Sequence, residues 1–379
     1  MTLDTAAQVA VSALIQQQVA EGRQIGVQVC VTQHGRVVVD AVAGTLGPDD
    51  HRPVQPDSLF CSFSTTKGVA ALAVHQAHDR GLLDLDAPVA KYWPAFGQHG
   101  KDKITVAQAM SHMAGLHAMP DPFTPEHITD WDAGIERMEA GVPAYEPATA
   151  TGYHAATFGW IAGGIMAGAT GLHIKDWIRT EIAEPLGVGD SLYVGIPDTA
   201  SVRERLATLE HVAPGDGLPI PDDHDFFKAM PRVMFGHFNE MPFRTACLPS
   251  GNGHFTARAL ARMYGALAGG GSIDGVRIIS EGAIARMSRV VTDDVDRVLL
   301  SPLRKCSGFF AGGDVAAVPS LFGPRTSAFG HPGAGGSVGF ADPEVGMGVG
   351  VTLNKMQYPN PGEGVTLDIC DLIRRELAP

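Results

Sequence analysis

The sequence predicts an α+β fold in which both ends of the chain build one antiparallel sheet and the middle supplies helices. Three observations carry this. Alternating, β-branched runs lie near each terminus. Apolar residues at helical spacing dominate the stretch between them. Regular strand–helix–strand alternation, which a doubly wound parallel sheet needs, is missing. The 379 residues are read as one unit, with residues 1–60 and 320–379 forming the sheet-containing part and residues 61–319 a mostly helical part with long loops.

The elements follow in order. Val11, Leu14, Ile15 and Val19 recur at helical spacing, so the chain opens on an amphipathic helix. Gln8 and Gln16-Gln17-Gln18 interrupt its apolar face and no basic segment precedes it, so neither a signal peptide nor a membrane span is expected. Gly26–Thr32 and Val37–Val42 flank Gln33-His34-Gly35-Arg36 and read as a hairpin. Lys67–Arg80, Phe158–Ala169 and Ala257–Ala268 read as helices closed by Gly81, Gly171 and Gly269-Gly270-Gly271. Residues 117–149 and 211–256, rich in Pro, His, Asp and Gly, read as long surface loops that form pocket walls or lids. Val338–Ala341 and Met347–Leu353, joined through Asp342-Pro343-Glu344, read as a second antiparallel pair. A last amphipathic helix uses Val365, Leu367, Ile369, Leu372, Ile373 and Leu377.

Composition narrows the function classes. Hydrophobic residues make up 45% and charged residues 18%, which supplies a large core. A net charge of −13 without any Lys/Arg-rich run disfavours nucleic acid and anionic membrane surfaces as partners. Cys30, Cys61, Cys247, Cys306 and Cys370 are scattered without C-x-x-C spacing, as expected of packed, reduced thiols in a cytoplasmic protein.

The chemistry-bearing features are three. In Ser64-Thr65-Thr66-Lys67, hydroxyl and amine lie one helical turn apart on a shared face. A serine is a weak nucleophile until a base removes its proton, and lysine serves only when neutral. The apolar run Val69–Val74 offers the desolvation that achieves this. Tyr153, in Gly152-Tyr153-His154-Ala155, supplies a phenol for a base or relay. Phe329-Gly330-His331-Pro332-Gly333-Ala334-Gly335-Gly336 supplies a backbone that a substrate can approach closely. Singly, each also fits a structural role: a capping serine with a surface lysine, a core tyrosine, a glycine-rich turn.

Together and in this order, these motifs resemble the serine β-lactamase and penicillin-binding-protein superfamily, and more closely the class C β-lactamase-like, family VIII carboxylesterases. Leu82–Val89, Ile104-Thr105-Val106 and Met110-Ser111-His112-Met113-Ala114-Gly115-Leu116 extend the likeness, which covers roughly residues 20 to 356. The resemblance implies a β-lactamase/transpeptidase-like fold, with a five-stranded antiparallel sheet flanked by helices plus a helical subdomain. It also implies Ser64 as nucleophile, Lys67 and Tyr153 as general-base pair, and the N–H groups of Ser64 and Ala334 as oxyanion hole. Ala155, His331 and Gly333 fall at substrate-binding positions. Neither metal nor cofactor is required.

Two departures matter. Tyr153-His154-Ala155 stands where the lactamases have Tyr-x-Asn, and His331-Pro332-Gly333 where they have Lys-Thr-Gly. An amide, a fixed positive charge and a hydroxyl are gone, which favours uncharged esters over penicillins. The expected activity is therefore hydrolysis of small-molecule esters of small or medium acyl chain through a Ser64 acyl-enzyme. The alternatives are an acyltransferase with the same intermediate, a weak β-lactamase or D-peptidase, or a silent binding module. The sequence leaves open which of Lys67 and Tyr153 is the principal base, and whether the protein is a monomer or a homodimer.

Two rival sites are weaker. Gly335-Gly336-Ser337-Val338-Gly339 matches the Gly-x-Ser-x-Gly nucleophile pattern, but strand signals follow it and no histidine comes after it. Among fifteen histidines, His75 with His78 and His224 between two aspartates are the nearest to ligand spacing, and no zinc-binding motif results.

Overall fold

The computed structural model describes residues 3, 5–210, 212, 220–315, 318–359 and 362–378. The part of the loop at 211 and 213–219 therefore lies outside the described residues.

The predicted terminal elements form. Helix α1 spans Ala6–Ala20, and strands β1 (Gly26–Gln33) and β2 (Arg36–Gly44) make the first hairpin. His34 and Gly35 both take positive φ, 47° and 77°, as the favoured two-residue hairpin turn requires. Helix α2 covers Thr66–Asp79, α3 Phe158–Thr170 and α4 Ala257–Ala268. Three short strands follow: β3 (Val290–Thr292), β4 (Lys305–Cys306) and β5 (Phe310–Ala311). Strands β6 (Phe329–Pro332), β7 (Val338–Asp342) and β8 (Met347–Leu353) precede helix α5 (Val365–Leu377).

One antiparallel sheet results, in the order β2-β1-β8-β7-β6-β5-β4-β3. It has eight strands rather than the five expected. Strands of two or three residues carry no readable period, so β3, β4 and β5 escaped the sequence reading. A smaller sheet pairs Phe60–Cys61 and Leu192–Val194 with Gly253–Phe255. The loops expected at 117–149 and 211–256 also differ, because they contain helices at Trp131–Ala140, Asp225–Ala229 and Met241–Thr245. Asp130 and His224 cap the first two through their side chains, so residues that read as turn formers act here as helix starts.

Strand β8 explains how the layers stack. All seven of its residues are buried, and large and small side chains alternate. Met347, Val349, Val351 and Leu353 pack with Val11 and Ile15 of α1 and Ile369 and Ile373 of α5. On the opposite face, Gly348 and Gly350 meet α4. A Cβ on Gly348 would stand 2.1 Å from the Gly265 nitrogen, and one on Gly350 2.4 Å from the Ala257 carbonyl. Only glycine lets helix and strand backbones approach this closely. Beyond α4 lies the larger core, with α2 and α3 at its centre. Residues Thr66–Ala77 of α2 are all buried, so any polar group on that helix must find its partners inside the protein.

Four histidines illustrate the constraint. His75, His154, His254 and His331 each set one ring nitrogen against a backbone carbonyl (Ser307, Gly152, Asn252 and Pro332) at 2.6–2.9 Å. The carbonyl can only accept, so that nitrogen carries the proton. Burial lowers the pKa of His75 to about 4 and those of the other three to about 3. An unfolded histidine takes up its proton near pH 6.5, so protons bind the unfolded chain first as pH falls, and stability drains between pH 6.5 and those folded values. The expected loss is up to ~1.4 kcal/mol per pH unit for each histidine. Urea unfolding at pH 7.5, 6 and 5 checks this: the midpoint falls steadily across the series. A constant midpoint would contradict the buried neutral state.

Candidate active site

Ser64 sits at a sharp junction. Strand Phe60–Cys61 ends, a 3₁₀ turn covers Phe63–Thr65, and α2 begins. Phe63 takes φ = 45°, a left-handed conformation that is costly for an aromatic residue. Its surroundings hold it there. The Thr66 hydroxyl donates to the Phe63 carbonyl at 2.5 Å and accepts from Gly253 N–H at 2.9 Å, while the Phe63 ring packs on Phe238 at 4.8 Å between centroids. Ser64, next in sequence, is left partly exposed.

Lys67 lies on the same helix face and is fully buried. Its Nζ is 3.0 Å from Ser64 Oγ and 2.7 Å from each of the carbonyls of Ala155 and Ser250. It stands 4.8 Å from the centre of the Tyr153 ring. Among the described residues no carboxylate pairs with it, and burial drives its pKa well below the usual 10.5. A neutral amine has two N–H bonds and one lone pair. The two carbonyls take the N–H bonds, so the lone pair falls to Ser64 Oγ.

Tyr153 is brought to the same place from 86 residues further along, just ahead of α3. Its ring packs against His112 at 4.7 Å between centroids, and against Phe310 and His331 at 6.2 Å each. Burial raises the phenol pKa above its ordinary 10, and its interaction with the Ser64 hydroxyl offsets part of that rise. Both groups of the candidate pair are thus neutral at rest. His154 points away from this centre: its Nε2 accepts from Leu116 N–H at 3.0 Å, tying down the stretch after His112.

The third motif closes on the nucleophile turn. A Cβ on Gly333 would stand 2.3 Å from the Ser62 carbonyl, so the end of β6 packs directly on the residues before Ser64. Ala334 follows and, with Ser64, lines a small cavity of about 30 Å³. Ala155, Ser250 and Gly251 lie on its wall, and Met230, Met234, Phe235, Phe238 and Leu248 supply an apolar surface. None of the described lining residues carries a charge. His331 is buried behind Tyr153, its ring 4.7 Å from that of Phe310, and its Nε2 has no hydrogen-bond partner.

The structure thus brings Ser64, Lys67, Tyr153, Ala155, Gly333 and Ala334 to one place. Of the rivals, Ser337 adjoins this place, its carbonyl accepting from Gly333 N–H at 2.6 Å. Ser337 is buried where the chain enters β7, not at a strand-to-helix turn. His75 bonds to Ser307, His78 to Leu83 and His224 to Phe226, all through backbone groups. Among the described residues no three His, Cys, Asp or Glu side chains are grouped to hold a metal ion, and no helix is long and apolar enough to cross a membrane.

Sequence reasoning missed two parts of the site. Ser250 contributes a carbonyl, a group every residue has, so no side-chain pattern could reveal it. Asp296 sits in a stretch without periodicity, yet its Oδ1 accepts from Tyr153 N–H at 3.1 Å.

Comparison with known proteins places the whole chain in one family. The Beta-lactamase family model matches residues 11–368. The esterase/beta-lactamase LipL of Mycobacterium tuberculosis (strain ATCC 25618 / H37Rv) is 37% identical over 337 residues, covering 86% of this chain and 76% of LipL. The crystal structure of a family VIII carboxylesterase superposes with a TM-score of 0.89 at 33% identity, covering 100% of this chain and 99% of that one. A penicillin-binding-protein homologue from Caulobacter crescentus gives 0.89 at 34% identity over the same shares. The chain belongs to the beta-lactamase family.

Proposed function

We propose that the protein is a serine carboxylesterase that hydrolyses small, uncharged esters through an acyl-enzyme on Ser64. The carrying observation is the hydrogen bond of 3.0 Å between Ser64 Oγ and a fully buried Lys67 Nζ whose other hydrogen bonds, among the described residues, go to the carbonyls of Ala155 and Ser250. The esterase names of LipL and of the family VIII carboxylesterase support the same reading.

Ser64 Oγ attacks the ester carbonyl carbon while its proton passes to the Lys67 lone pair. The carbonyl π electrons move to oxygen, and the N–H groups of Ser64 and Ala334 stabilise the resulting oxyanion. Collapse of this intermediate breaks the bond to the leaving oxygen, which takes a proton from the Lys67 ammonium with the Tyr153 phenol as relay. Water then repeats the sequence on the acyl-enzyme, releasing the acid and restoring Ser64. Lys67 is the resting base and Tyr153 the proton carrier, because burial keeps the amine neutral and the phenol protonated.

The apolar cavity at Ser64 suits an uncharged acyl group. Neutral His331 offers no cation to a β-lactam carboxylate.

Hydrolysis of p-nitrophenyl acetate tests this reading. Ser64→Ala abolishes turnover, whereas Ser337→Ala keeps most of it; the reverse pattern would move the nucleophile to the second serine. Lys67→Ala and Tyr153→Phe each lower kcat by on the order of a hundredfold. Near-normal turnover in either variant removes that residue from the mechanism.

The pH profile is a separate test. Activity needs neutral Lys67, so kcat/KM rises with pH as Lys67 loses its proton, and the rise is complete well below pH 10.5. A rate still climbing through pH 10 would mean an ordinary, charged lysine.

A further inference from the structure

Behind Tyr153 lies a second buried lysine, and this one is paired. Lys305 Nζ and Asp296 Oδ2 are 2.5 Å apart, with both side chains completely inaccessible. The other carboxylate oxygen, Oδ1, accepts three backbone N–H groups: Tyr153 at 3.1 Å, Val298 at 2.8 Å and Leu299 at 2.7 Å. Lys305 also donates to Thr151 Oγ1 at 2.6 Å, two residues before Tyr153. The backbone N–H of Arg297 donates to the Thr151 carbonyl at 2.9 Å. The segment that carries the phenol is therefore gripped at both Thr151 and Tyr153 by one ion pair.

Stability gives weak reason for such a pair, because desolvating two charges offsets most of their attraction. Placement gives a better one. Lys305 belongs to β4 of the main sheet, and Cys306 beside it accepts from the Ser111 hydroxyl at 3.1 Å. The route from sheet to phenol runs β4, Lys305, Asp296, Tyr153 N–H. Ser64 is fixed by a different route, through the turn at Phe63 and the contact with Gly333. Two separately anchored groups must meet within hydrogen-bond reach, and a misplacement of about 1 Å costs on the order of a hundredfold in rate.

We propose that Asp296, locked by Lys305, is the positioning residue for Tyr153, holding the phenol over Ser64 through the Oδ1 bond to the Tyr153 backbone. This rests on Tyr153 acting as the proton carrier. Asp296 itself touches no substrate. Asparagine keeps an Oδ1 acceptor and loses the charge, which allows the two roles of the carboxylate to be separated.

The test compares Asp296→Asn/Lys305→Met with Asp296→Ala/Lys305→Met, both freed of charge and only the first retaining the acceptor. Folding is checked by circular dichroism and urea midpoint, and kcat and KM are measured on p-nitrophenyl acetate. The Asn/Met variant is expected to show at least ~tenfold higher kcat than Ala/Met, with KM values within about threefold. Adding Tyr153→Phe to Ala/Met is expected to give no more than the loss of Tyr153→Phe alone, since both changes act through one group. Equal kcat in the two pair variants, or losses that multiply in full with Tyr153→Phe, overturns the proposal. Should Ala/Met not fold, Thr151→Val takes its place: about a threefold fall in kcat at constant KM is expected, and an unchanged kcat overturns the proposal. If Tyr153→Phe itself keeps full turnover, the mechanism above fails instead.

Discussion

The site depends on one unpaired amine held out of water. Lys67 projects from a helix buried all round, meets two carbonyls, and has no counter-charge among the described residues. A lysine in that position must give up its charge or unfold its surroundings, and the first is far cheaper. The carbonyls of Ala155 and Ser250 then fix where its lone pair points. They come from the segments before α3 and after Leu248, so the surroundings of this amine are assembled from three distant parts of the chain.

The contrast between the two buried lysines shows how the same residue type serves two ends. Lys305 bonds to a hydroxyl at 2.6 Å and has a carboxylate at 2.5 Å, and the carboxylate favours its charged form against burial. Lys67 has neither a carboxylate nor any other anion beside it. Burial is the largest influence on each, yet only at Lys305 does an ion pair oppose it. In the proposed mechanism one therefore moves a proton and the other keeps its own. Composition alone treats them alike; the partner decides.

Much of this was legible in the sequence, for identifiable reasons. The long strands β1, β2, β7 and β8 carry alternation, and α2, α3 and α4 end on glycines, so periodicity and punctuation placed them. Ser64 and Lys67 were legible because one helical turn relates them. Tyr153 and Ala334 were legible only through motif order, since nothing local joins them to Ser64. Strands β3, β4 and β5 were not, because two or three residues show no period. Asp296 was not, because its function lies in accepting backbone N–H groups, a relation that arises only when the loop closes. The aromatic wall from Met230 to Phe238 looked like loop composition, and its burial follows from Phe63 packing onto it.

The charge balance of the finished site then bears on its choice of substrate. Lys67 is neutral by burial, His331 is neutral with its pKa pushed down to about 3, and the described residues lining the cavity have only apolar or hydroxyl side chains. Among the described residues lining the cavity none is a fixed cation. A substrate carboxylate brought here would lose its hydration without gaining a partner, a cost of several kcal/mol. An uncharged ester incurs no such cost, and the only negative charge the proposed reaction develops is the transient one on the attacked carbonyl oxygen, for which the proposed donors are the backbone N–H groups of Ser64 and Ala334, two residues that line the cavity. In the proposed mechanism, His331 in place of a lysine and Ala155 in place of an asparagine thus change which acyl donor the same serine, lysine and tyrosine can use.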